Sequence, residues 1–265
     1  MSDRLSPAAD LILKVYLALF FVYMFLPLIV MVIAAFNAFQ YPALSPWKGF
    51  TLEWFPRLVE DERLMGGLAT SILLGICVTA ASVPLGLAGA LIVARGTRRT
   101  SGLFYAMLVS PILMPGVVLG ISTLVFWREV GISGGLFTAG AAQTSFIASY
   151  CMLMILARLA RQDPVLEEAA LDLGASPWFV FRRVTLPFLA PALGSAAVIA
   201  FLQSFENYNT TVFAIGSGYT LVTEIGARLR FGLTPAINAL GVIFLLVTAV
   251  AAIGFAIANR RKPAA

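Results

Sequence analysis

Apolar runs long enough to cross a bilayer alternate with short polar segments along the whole chain. The pattern predicts six membrane helices, over about 11–36, 68–94, 103–127, 139–159, 189–215 and 236–258. The polar island over about 160–188 differs from the other connections, because its punctuation is that of two short helices and a turn. Asp163 can cap the first helix, Pro164 suits its first position, and Glu167 and Glu168 lie near the positive end of its dipole. Gly174 supplies a left-handed ending, Ser176 and Pro177 repeat the start signal, Arg182 and Arg183 fall toward the second C-terminus, and Pro187 closes the unit. A stripe of Leu166, Ala170 and Leu173 beside Ala169 and Ala175 makes this unit a surface built for a partner to grip.

Composition agrees with that reading. The chain has 265 residues, 60% hydrophobic and 12% charged, with mean hydropathy +0.93, the range of an all-α polytopic membrane protein. A single transmembrane domain over 1–265 is expected, with membrane lipid around it. Twelve of the basic residues fall at the two ends, between the second and third spans, and between the fourth and fifth; six fall in the alternate connections. Both termini are therefore expected on the cytoplasmic side, and the net charge of +5 reflects that asymmetry rather than nucleic acid. No cleavable leader is expected, since the first apolar run is too long and no small-residue cleavage site follows it. The absence of His excludes His triads and His-ligated metals, and Cys77 and Cys151 both lie in apolar spans. Pro27, Pro84, Pro111 and Pro115 interrupt spans, and Gly116 and Gly120 form a GxxxG read as a packing face. The long outer segment carries Trp47, Trp54 and Phe55, read equally as an interfacial belt or a docking surface.

The fifth span holds a polar run from Gln203 to Thr211. At helical spacing Gln203, Glu206, Asn207 and Thr210 share a face, and Glu206 is the only carboxylate inside a predicted span. A charge there faces either a wet solute passage or a neighbouring subunit. In the first reading Glu206 offsets the dehydration of a cation, Tyr208 adds a cation–π contact, and Asn207, Gln203 and Thr210 supply neutral groups. An intramembrane enzyme would need a nucleophile, metal or second acid that the spans lack. No G-x-x-x-x-G-K-[ST] occurs, so any ATP must be used by another chain.

The order Glu168-Ala169-Ala170, Gly174, Leu186-Pro187 resembles the EAA signature of the membrane subunits of binding-protein-dependent ABC importers, with Val184 where that family usually has Ile. The resemblance implies the type I importer permease fold with six transmembrane helices and a cytoplasmic coupling helix, in a bacterial inner membrane. It implies a second permease subunit in a heterodimer, two ATPase subunits that bind ATP and Mg, and an extracytoplasmic solute-binding protein; no cofactor is expected in this chain. Glu167, Glu168, Ala169, Ala170, Asp172, Gly174, Ala175, Pro177 and Phe181 are then the expected ATPase contact. Trp47-Lys48-Gly49-Phe50-Thr51, Trp54-Phe55, Ser110-Pro111, Gly232-Leu233-Thr234-Pro235 and Asn238-Ala239-Leu240 are similar to the C-type subunit of spermidine/putrescine permeases. Permeases for ferric iron, sulfate and other solutes share much of this frame. Where the polyamine group often has Phe-Asp-Asp or Phe-Asp-Asn, this chain has Phe205-Glu206-Asn207, which keeps the acid on a longer arm.

Overall fold

The computed structural model describes residues 7–231 and 234–260, so Arg4, Gly232, Leu233, Arg261 and Lys262 lie outside the described residues. The described chain is helical, with no strand beyond an isolated bridge between Asn37 and Phe50. Five of its helices are long and apolar enough to cross a membrane, and a bent pair makes a sixth if it is one span. The backbone groups into two compact units, residues 1–65 with 227–265, and residues 66–226.

In the first unit, α1 (Pro7–Ala35) packs on α12 (Ala236–Arg260), and the short α2 (Trp54–Glu60) packs on α12 as well. Only 6% of α1's apolar window is buried, so nearly all of that helix is left for lipid or another chain. The segment between α1 and α2 is tied to Asn37, which is fully buried. Asn37 Nδ2 donates to the carbonyls of Ala43 and Pro46 (2.9 and 3.1 Å), and its Oδ1 accepts from the amides of Phe39 and Lys48 (3.2 and 2.9 Å). Trp54 Nε1 donates to the Asn37 carbonyl at 2.8 Å and the ring is buried, so Trp54 is neither a belt residue nor a docking residue but the core of this segment. Trp47 is half exposed and keeps both readings open.

In the second unit, α6 (Leu136–Leu159) is the central post, contacting α4 (Arg98–Leu113), α5 (Gly116–Glu129) and α9 (Leu186–Phe205). Its core includes Ile147, Cys151, Met152 and Ile155 against Leu189, Ala196 and Ala200. Small residues set how closely α3 (Glu62–Arg95) approaches it: a Cβ on Gly86 would fall 2.5 Å from Cys151 Cβ.

Three expectations are corrected. The span over 103–127 is two helices, α4 and α5, that meet at 105° around Met114 and Pro115. Pro115 has no N–H to continue a ladder, and the turn before it opens. The span over 189–215 stops at Phe205, resumes only as the single turn α10 (Thr211–Ala214), and is followed by a helix that periodicity missed, α11 (Leu221–Phe231). Pro187 does not close a loop, because it lies inside a helix that runs unbroken from Pro177 to Phe205. The turn ahead of it is widened to π geometry over Phe181–Thr185, with the Leu186 amide donating to the Phe181 carbonyl five residues back. That widening accommodates the missing proline donor without ending the helix.

Two predictions follow from packing and charge. Gly86→Ala, which meets backbone and Cβ atoms within 3 Å, should destabilise the purified protein on the usual overpacking scale of about 1–3 kcal/mol. Gly102→Ala, which meets nothing, should be neutral or stabilising by the helix propensity of alanine; thermal unfolding in detergent compares the two. Arg228 grips Asp61 with both nitrogens (2.5 and 2.8 Å), and that guanidinium holds the Asp61 carboxyl below its usual range against the opposing effect of burial. A depressed acid stabilises the fold above its unfolded pKa, here the ordinary value of 3.8, and loses that contribution as pH falls through the folded value. Wild type should therefore lose stability relative to Asp61→Asn as pH is lowered below about 4, and parallel pH dependence of the two would show the pair contributes nothing.

Candidate coupling surface and helix break

The first region of interest begins where Asp163 Oδ1 accepts the Val165 amide (3.0 Å), opening α7 (Val165–Asp172) one residue later than predicted. Gly174 has φ +85°, and Ser176 Oγ accepts the Phe179 amide (3.3 Å) to start α8 (Pro177–Val180), as the local chemistry requires. The outer face is apolar and open: Leu173 is 89% exposed, Trp178 68% and Leu166 58%. Ala170, Leu173, Gly174, Ala175, Ser176 and Phe179 line a shallow concavity of about 520 Å³. Glu168, Ala169, Asp172 and Pro177 are exposed around it, and Phe181 stacks on Trp178 at 5.6 Å.

Glu167 faces the other way. Its Oε1 accepts from Thr185 Oγ1 (2.6 Å) and Gln162 Nε2 (3.1 Å), and Arg95 Nη2 lies 3.1 Å from Oε2. It fastens α7 to the end of α3 and to the π turn, and is thus a support for the surface rather than part of it. Arg95, Gln162 and Thr185 were not singled out from sequence, since nothing in their spacing links them to Glu167.

The second region is the interruption between α9 and α10. Glu206 is the C-cap of α9 and exposed, with no ion pair among the described residues. Asn207 turns inward, its Oδ1 accepting from the Thr210 and Thr211 amides (3.2 and 3.3 Å) and from Thr211 Oγ1 (3.1 Å). Tyr208 lies across α11 where only glycine fits, since a Cβ on Gly226 would meet its ring at 2.4 Å. Thr210 is buried against α5: Cβ atoms on Gly116 and Gly120 would fall 2.9 Å from its Oγ1 and 2.5 Å from its carbonyl. The GxxxG is therefore a packing face within the chain. Gln203 stays half-buried on the last turn of α9. The common helical face expected for Gln203, Glu206, Asn207 and Thr210 does not form, because Asn207 spends its amide oxygen on freed backbone donors instead of a helix surface. Reasoning from sequence also missed Gln143 of α6, whose amide is fully buried against this break, although an amide amid an apolar span is a visible signal. Glu224 of α11, 6% exposed, is a buried acid outside the predicted spans, whereas the acid singled out from sequence, Glu206, is exposed.

The described chain is thus all-α, with a bent span, a broken span and an exposed two-helix insertion between spans. Residues 82–262 match the family described as the binding-protein-dependent transport system inner membrane component, and the chain belongs to that family. It is 32% identical to the putrescine transport system permease protein PotI of Escherichia coli strain K12 over 249 residues, covering 91% of this chain and 87% of that one. It is 30% identical to the spermidine/putrescine transport system permease protein PotC of Haemophilus influenzae over 233 residues, covering 86% and 88%. Its fold matches a chain from the crystal structure of a bacterial ABC transporter that imports the acidic polysaccharide alginate, with TM-score 0.69 and 14% identity over 99% of this chain and 100% of that one. The chain is a multi-pass permease subunit of an ABC importer.

The Glu167 contacts give a graded prediction. Glu167→Ala removes every hydrogen bond to the carboxylate and should destabilise the protein by about 1–3 kcal/mol, discounted for the half-exposed Arg95. Glu167→Gln still accepts from Thr185 and should lose less. Equal melting losses for the two variants would place the effect outside these bonds.

Proposed function

We propose that this chain forms half of the solute passage of an ATP-driven importer for polyamines, putrescine or spermidine, in a bacterial inner membrane with both termini cytoplasmic. A second, different permease subunit completes the passage. Two ATPase subunits bind ATP and Mg, and an extracytoplasmic binding protein delivers the solute; this chain carries no cofactor of its own. The observation that carries the proposal is the exposed carboxylate of Glu206 at a helix break inside a polar run, in a chain similar over nine-tenths of its length to a putrescine permease. A dication leaving water gains from one fixed anion and from neutral oxygens beside it. At the other end of the helix, the concavity bounded by Leu173, Gly174 and Phe179 is the seat proposed for the ATPase.

Glu206→Gln keeps size and removes charge. Uptake of labelled putrescine, normalised to assembled complex, should fall by an amount equivalent to about 1–3 kcal/mol, the scale of one charge-assisted hydrogen bond. Normal normalised uptake with poor recovery of the complex would instead assign Glu206 to subunit assembly. Gly174→Val forces a β-branched residue into φ +85° and should uncouple ATP hydrolysis from uptake; full uptake and normal copurification with the ATPase would contradict the seat. On a background without Cys77 and Cys151, Leu173→Cys should resist an impermeant thiol reagent in spheroplasts while Ser133→Cys reacts, and the reverse pattern would invert the orientation.

A further inference from the structure

The break between α9 and α10 is closed by a ring of hydrogen bonds with one member from outside it. Gln143 Nε2 donates to Thr211 Oγ1 at 2.6 Å, and Gln143 Oε1 accepts from Ser204 Oγ. Thr211 Oγ1 donates to Asn207 Oδ1 at 3.1 Å, and the Asn207 amide donates to the Ser204 carbonyl at 3.2 Å, which completes the circuit. Gln143 and Thr211 are fully buried and Ser204 is 4% exposed. Ser204 belongs to the last turn of α9 and Thr211 is the first residue of α10, so one amide from α6 spans the two sides of the interruption.

Burial alone does not call for an amide here. A leucine on α6 would satisfy burial, but the Ser204 and Thr211 hydroxyls would then lose the amide they share. What the amide adds is a fixed separation between the two helix ends, because its donor and acceptor are held in one rigid plane. Between those anchors the chain presents Glu206 and Asn209 outward. Thr138 repeats the device one turn further on, donating from Oγ1 to the Ala214 carbonyl at 2.7 Å, so α6 grips α10 at both ends.

We infer that Gln143 is a positioning residue for transport: through the ring with Ser204, Thr211 and Asn207 it sets how the Glu206–Asn209 segment is presented to the solute, without touching the solute itself. The inference rests on the proposed reading of this break as part of the passage. The test uses the assembled importer on a background without Cys77 and Cys151, with Asn209→Cys as reporter and a water-soluble cationic thiol reagent as probe. Gln143→Leu and Thr211→Val, which keeps shape and deletes the hydroxyl, should each change the modification rate of Asn209→Cys by about fivefold or more, the equilibrium shift expected from one lost buried bond. The double variant should change it no further than the larger single change, because both cut one circuit. A Ser133→Cys reporter, on an exposed loop, should not respond, whereas general loosening would move both. Normalised putrescine uptake should fall in the same variants. An unchanged Asn209→Cys rate overturns the inference, as does failure of both single variants to assemble, which would make the ring a folding requirement only. A changed rate with unchanged uptake leaves the ring as a positioner and overturns the passage reading of the break.

Discussion

A helix that ends within an apolar environment frees carbonyl and amide groups that water cannot reach, and those groups must be satisfied from inside the protein. The chain from Ser204 to Thr211 is arranged around that constraint. Asn207 takes up the freed amides of Thr210 and Thr211, Gln143 binds the hydroxyls on either side, and Gly116 and Gly120 let α5 close over Thr210. Removing the Asn207 or Gln143 side chain would leave buried donors or acceptors unpaired at a cost of about 1–3 kcal/mol. With the backbone satisfied, Glu206 and Asn209 remain free to face outward. The interruption is thus a built feature, and the packing of α5, α6 and α11 around it follows from it.

The other end of the same helix is built by different means. There is no buried network at α8; the apolar side chains point out, and a partner is needed to cover them. The supports lie behind the surface, where Glu167 joins Arg95, Gln162 and Thr185. Thr185 is in the π turn, so the proposed ATPase seat is fastened to the segment that continues as α9. One uninterrupted helix from Pro177 to Phe205 connects the exposed surface to the polar break.

The parts legible from sequence were those set by local chemistry. Ser176, Pro177 and Gly174 did what caps and a left-handed residue do wherever they stand, and the long apolar runs of α1, α3, α6 and α12 left little choice of structure. Periodicity failed where tertiary satisfaction competes with helix formation. The run Gln203–Thr211 has a passable helical face on paper, yet Asn207 stabilises the freed backbone better than the continued helix would. Pro111 and Pro115 marked an interruption without revealing its angle of 105°. Glu167 read as an outer-face residue because Arg95 and Thr185, which turn it inward, lie 72 and 18 residues away, separations no local pattern encodes. Gln143 was overlooked for the same reason, its partners being 61 and 68 residues distant.

On the proposed function, the unbroken helix from Pro177 to Phe205 is the link between the ATPase seat and the break, and such a link has to keep its length while the importer turns over. Pulsed dipolar spectroscopy on the assembled importer, with spin labels at Trp178→Cys and Leu202→Cys, two exposed positions within the helix, measures its length directly. At about 1.5 Å per residue the two positions should stand roughly 36 Å apart, and the distance should be the same without nucleotide and in an ATP-trapped state. A change of about 5 Å, one helical turn, on trapping would show that the π turn yields and that the helix does not carry the motion.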